Sequence, residues 1–97
     1  MDLEARLSEV VAALTEGKAA DVLSERFTYD VGGKRGDRDA ALVWLAALKP
    51  ADSSLRVVSV KRNLLFLDWK VPSLGAGMAI VAFDQDGKVA SVSAARR

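Results

Sequence analysis

The chain contains no cysteine and no histidine. Without cysteine there is no disulfide, no thiol nucleophile and no thiolate metal ligand. Without histidine the usual general base, the commonest metal ligand and the side chain that titrates nearest neutrality are all missing. Two prolines, and no glycine-serine block, leave nothing that reads as a linker or a low-complexity segment. Charge of one sign is missing too: fourteen Lys and Arg oppose thirteen Asp and Glu, for a net of +1. No basic field is present to attract nucleic acid or an anionic membrane. No apolar run reaches the ~18 residues of a membrane span. The start, Met1-Asp2-Leu3-Glu4, is acidic where a signal peptide is basic. The cytoplasm is therefore the expected compartment.

What is present is ordinary globular composition, 51% hydrophobic and 28% charged over 97 residues. At this length about 60–65% of the unfolded surface is buried on folding. Residues 1–97 are expected to form a single domain around one core.

Leu3, Leu7, Val10, Val11 and Leu14 mark one stripe of an amphipathic helix, with Asp2 as its N-cap and Gly17 as its stop. A short second helix is expected to bury Ala20, Val22 and Leu23. Phe27 to Val31 alternates like a strand. Gly32, Gly33 and Gly36, around Lys34 and Arg35, read as a loop. Asp37 reads as the N-cap of a third helix with Ala41, Leu42, Trp44 or Leu45, and Leu48 inward, ended by Pro50. Four strands follow: Leu55–Lys61, Leu64–Val71, Met78–Phe83 and Lys88–Ala94. Arg62-Asn63, Pro72 to Gly77 and Asp86-Gly87 separate them, and such short links force antiparallel pairing. Helices gathered on one side of an antiparallel sheet make an α+β domain.

This order resembles the nuclear transport factor 2-like superfamily, with its SnoaL-like members. The opening helices resemble residues 2–25. Phe27 to Asp30 followed by Gly36-Asp37-Arg38-Asp39-Ala40 is similar to that family's first strand, loop and helix start. Asp68-Trp69 is similar to its acid-Trp pair in a central strand, and Ala82 to Val89 to its last hairpin. The resemblance implies a cone-shaped curved antiparallel sheet wrapped over N-terminal helices, with an apolar cavity and, in many members, a homodimer through the outer sheet face. The residues themselves leave two readings open, a partner chain over the outer face or a central strand deeply buried within a monomer. Leu65, Leu67, Trp69 and Val71 share one face of the central strand, and Leu64 and Phe66 lie on the other, so both faces are covered at least in part.

The resemblance extends to ketosteroid isomerases, which use an Asp base with an oxyanion hole of Tyr and protonated Asp. Asp30 matches the base approximately. The Tyr position falls on Val10 and the protonated Asp position on Ala79, so two of three roles are filled by hydrocarbon. An oxyanion there would have no donor. The Asp-Arg-Asp arrangement of limonene epoxide hydrolases has only Arg35-Gly36-Asp37 to match it, in the loop and helix start. No complete catalytic constellation is present.

Single residues remain as candidates. Asp68 follows four apolar residues and precedes Trp69, so it is a candidate base, with a cross-strand ion pair to Arg56 or Lys61 as its plainer role. Asp30 is the other candidate base. Tyr29, Trp44, Leu67 and Trp69 are candidate walls for a flat apolar ligand, with core filling as the plainer role for each. Gly32 to Gly36 lacks the Gly-Lys-Ser/Thr ending of a phosphate loop. Asp84-Gln85-Asp86-Gly87 lacks the distal acid of a calcium loop. No metal site and no cofactor are expected. The expectation is thus a protein that binds a small apolar molecule in its cone, or a homodimeric interaction module with a self-filled interior. The alternative is a SnoaL-like or isomerase-like enzyme using one carboxylate, Asp30 or Asp68.

Overall fold

The computed structural model describes residues 2–47, 54–72 and 75–97, without the side chains of Trp44, Ala46 and Ala47. The first helix, α1 (Leu3–Thr15), starts where Asp2 accepts hydrogen bonds from the amides of Glu4 and Ala5 at 3.0 and 3.2 Å. It stops at Gly17, whose φ of +76° is cheap only for glycine. The amides of Gly17 and Lys18 donate to the carbonyls of Leu14 and Ala13, the Schellman pattern of a helix end. Leu3 and Val10 are buried on its inner stripe, with Leu7 and Leu14 packed beside them.

The second helix, α2, is one turn, Ala19–Val22. Ala19 and Val22 are buried, while Ala20, expected inside, is exposed. Leu23 is buried as expected, but as the first residue of β1 (Leu23–Val31), a strand four residues longer at its start than its alternation suggested. The glycine-rich stretch is a hairpin rather than a loop. Gly32 and Gly33, with φ of +61° and +86°, turn the chain in two residues, the backbone hand that matches strand twist. β2 (Lys34–Asp37) then pairs antiparallel with β1. Its composition, Lys-Arg-Gly-Asp, has no alternation to betray a strand.

Asp37 caps α3 (Arg38–Ala47) by accepting from the Ala40 amide at 3.0 Å. Ala41 is fully buried, and Leu42 and Leu45 pack against the core. The expected helix end at Leu48, Lys49 and Pro50 lies outside the described residues. Then come β3 (Ser54–Lys61), β4 (Leu64–Val71), β5 (Gly75–Phe83) and β6 (Val89–Arg96). The turn between β3 and β4 places Arg62 at φ +57°. The β5–β6 link is five residues long. Asp84 Oδ1 closes it by accepting from the amides of Asp86 and Lys88, both at 2.9 Å.

The sheet order is β2-β1-β6-β5-β4-β3. Successive strands from β3 to β6 are antiparallel, while β1 runs parallel to β6. Helix α3 packs on β1 and β2, so the helices cover one face of the sheet from its β2 end. The core joins Leu3, Val10 and Val22 to Phe27, Leu65, Leu67, Val81 and Phe83, one cluster drawn from both halves of the chain. The positions where isomerase donors would stand, Val10 and Ala79, both lie inside that cluster.

Candidate functional site

Strand side chains alternate between faces, and cross-strand partners share one. Tyr29 pairs with Gly36 and Val92, Val92 with Val81, and Val81 with Leu65. This row faces the helices. Asp30 pairs with Ser93, Ser93 with Ile80, and Ile80 with Phe66, which is the opposite, outer face. Asp68 is on the outer face as well, beside Met78 and Arg56. The residues singled out from the sequence thus divide. Tyr29, Leu67 and Trp69 face the helices, and Asp30 and Asp68 face away. Period-two alternation makes this unavoidable, because Asp30 follows Tyr29 directly and Asp68 sits between Leu67 and Trp69. Trp44 is on α3, and its side chain lies outside the described residues.

On the helix face, two rings lie along the sheet. The ring of Tyr29 covers Gly36, where an added Cβ would meet it at about 2.5 Å. It also stacks on Phe27, with centroids 6.4 Å apart. Trp69 covers Gly77 in the same way, and its Nε1 donates to the Met78 carbonyl at 3.2 Å. Each glycine admits a ring that any side chain would displace. Leu67, 3% exposed, is core. Towards β3 the cover thins. Leu55 and Val60 take the helix-face side of the register yet are exposed, next to half-buried Val57 and Trp69.

The outer face has a polar end, an apolar middle and a charged end. At the polar end an open groove of about 540 Å³ is lined by Thr28, Asp30, Arg35, Asp37, Ser91 and Ser93, with Tyr29, Gly36 and Val92 between them, so Tyr29 and Asp30 border the same groove. Arg35 Nε donates to Asp30 Oδ2 at 3.0 Å. In the middle, Met78 and Ile80 are 47% and 39% exposed, beside half-buried Leu64, Phe66 and Ala82. At the charged end, Asp68 accepts from Arg56 at 3.1 Å and from Arg97 at 2.5 Å. The ion pair with Arg56 is one of the two that the strand pattern offered, and Arg97 joins it from the far end of the chain.

A second hollow, of about 380 Å³, lies between the start of α1 and the β5–β6 link. Arg6 forms part of its wall, its Nε donating to the Gly87 carbonyl at 2.6 Å and its Nη1 to Glu9 at 2.7 Å. Among the described residues, no group of three or more Asp or Glu is placed to hold a metal ion. No described helix is long and apolar enough to cross a membrane.

The sequence alone did not single out the groove hydroxyls, Met78 or Ile80. Met78-Ala79-Ile80-Val81 is apolar without a break. Such a run is the signal of a strand with two apolar faces.

A curved, open sheet with helices on one face defines this chain as an α+β cone, the nuclear transport factor 2-like fold. No protein-family model and no curated protein matches the sequence. Solved structures do match. A nuclear transport factor 2-like protein of unknown function from Cytophaga hutchinsonii superposes with a TM-score of 0.74 at 15% identity, over 98% of this chain and 89% of its own. A candidate polyketide cyclase from Sinorhizobium meliloti gives 0.71 at 15% identity, over 93% of each chain. A candidate isomerase of the SnoaL-like family from Agrobacterium tumefaciens gives 0.66 at 13% identity, over 97% of each. The likeness is one of fold, and a single fold carries many functions.

Proposed function

We propose that this protein is a homodimeric interaction module of the cytoplasm whose outer sheet face receives a second copy of the chain. The observation that carries this reading is the apolar middle of that face. Met78 and Ile80 stand exposed beside Leu64, Phe66 and Ala82, with ion-paired charge at either end. Exposed apolar patches rimmed by polar groups mark association surfaces. The size fits. Six strands about 4.8 Å apart, all but the four-residue β2 of eight or nine residues rising about 3.3 Å each, span roughly 29 by 26 Å. A stable interface takes about 800 Å² from each partner. The net charge of +1 opposes self-association little.

Sedimentation equilibrium tests the reading. The wild-type chain should run near twice 10.4 kDa. Ile80→Lys should keep the fold by circular dichroism and raise the dissociation constant at least about tenfold, since a lysine at the centre of an apolar patch must be desolvated. A wild-type chain that stays monomeric at high concentration removes the proposal.

One observation favours a second reading, a small apolar ligand. Leu55 and Val60 leave apolar surface open on the helix face of β3, beside Val57 and Trp69. An enzymatic reading has no such support. Asp30 and Asp68 are each held by arginine on the outer face, away from the helix-covered side.

A further inference from the structure

The outer face is electrically lopsided, and this bears on how a second copy sits. We propose that the groove at Asp30 and Asp37 is completed by Lys61 of the second copy, with the dimer axis running along the strands. The inference rests on the dimer proposed above and adds its orientation.

The groove holds two carboxylates, Asp30 and Asp37, against one guanidinium, Arg35, and so carries one net negative charge. Arg35 is engaged by Asp30. Asp37 accepts from the Ala40 amide through Oδ1 alone. Lys61 lies on the same face at the other edge of the sheet. The register joins them in one row: Asp37 to Thr28, Thr28 to Ser91, Ser91 to Ala82, Ala82 to Leu64, and Leu64 to Lys61. Both ends of this row are exposed, and no ion pair engages Lys61 among the described residues.

The sheet order is balanced about the gap between β6 and β5, with three strands on each side. A two-fold axis along that gap lays β2 on β3, β1 on β4 and β6 on β5. Lys61 of the second copy then meets the groove at Asp37, and the contact occurs twice, as an isologous interface requires. Ile80 and Met78 of one copy meet Ser93 and Ala95 of the other near the axis. Packed sheets cross at about 30°, and the flexible stem of lysine absorbs the offset this makes at the edges. An axis across the strands does the reverse. It lays β3 on β3 and groove on groove, with like charges opposed, which disfavours that docking.

A double-mutant cycle on the dimer dissociation constant tests the orientation. Asp37→Asn keeps a helix cap, because Asn caps as well as Asp, and Lys61→Gln keeps the stem. Each should weaken the dimer by about three- to tenfold, and the double variant no further than the weaker single variant. As a second measurement, Asp37→Cys and Lys61→Cys chains are made separately, mixed and treated with a short bismaleimide. The native chain has no cysteine to interfere. Cross-links in the mixture but in neither chain alone support the orientation. Independent effects in the cycle, or cross-links confined to Lys61→Cys alone, overturn it while leaving a dimer. A monomeric wild-type chain overturns the dimer itself.

Discussion

Gly36 and Gly77 sit in mid-strand, where glycine is costly unless something needs the space. Here the rings of Tyr29 and Trp69 need it, each lying flat over the glycine that pairs with it. Gly77 is the tighter of the two, because a Cβ there also strikes the carbonyl of Ala95. Gly77→Ala should therefore cost about 1–3 kcal/mol, seen as a lower urea midpoint with an unchanged slope. An unchanged midpoint would show that the Trp69 ring and the backbone at Ala95 both give way freely. The two carboxylates teach a different lesson at this scale. The pairing of Asp68 with Arg56 was readable from two adjacent strands with a two-residue turn. The pairing with Arg97 was not, because 29 residues separate the partners. Arg56 and Arg97 are mostly exposed, and exposed pairs contribute at most about 1 kcal/mol. Asp68 thus orients the rim of the face more than it stabilises the fold.

Elements with a local cause were legible. Helix α1 has an apolar stripe, a capping aspartate and a stopping glycine, and each lies where the periodicity places it. Asp2→Ala should lower stability by about 1 kcal/mol and Asp2→Asn by much less, measured by thermal or urea unfolding. Equal losses would mean that the side chain is not acting as a cap. Strand β4 matches its pattern end to end, because Arg62-Asn63 closes one side and the whole run is apolar or alternating. Strand β2 was not legible. Its four residues are polar or glycine, and it is a strand only because Gly32-Gly33 folds it back on β1. Helix α2 is too short for a stripe to set its phase, which is why Ala19 and not Ala20 turns inward.

At the scale of the whole molecule, the helices cover the sheet from its β2 end and leave Leu55 and Val60 open near β3. This is where the ligand reading is decided. Trp44→Phe leaves Trp69 as the one indole, so its emission reports on that region alone. An apolar dye should quench it saturably at one dye per chain if the open surface is a binding site. Linear, unsaturable quenching would leave the surface as plain exposure. The same scale decides the outer face. Its apolar middle combines β4 with β5, and its groove combines β1, β2 and β6.

Helix, strand and turn follow from periodicity, caps and turn residues, interactions that reach only a few positions along the chain. Those were enough to reach the α+β class, the meander and the resemblance to a cone. The face that Asp68 takes was not fixed by the sequence, because a one-residue bulge would flip it; the unbroken register of β4 with β5 puts it on the outer face. Also beyond local reach was which strand neighbours β1. Its parallel pairing with β6 joins segments some sixty residues apart. The free energy of that pairing comes from filling one core with side chains from both halves, and no short window contains it. The groove exists only because that pairing puts Thr28 and Asp30 beside Ser91 and Ser93.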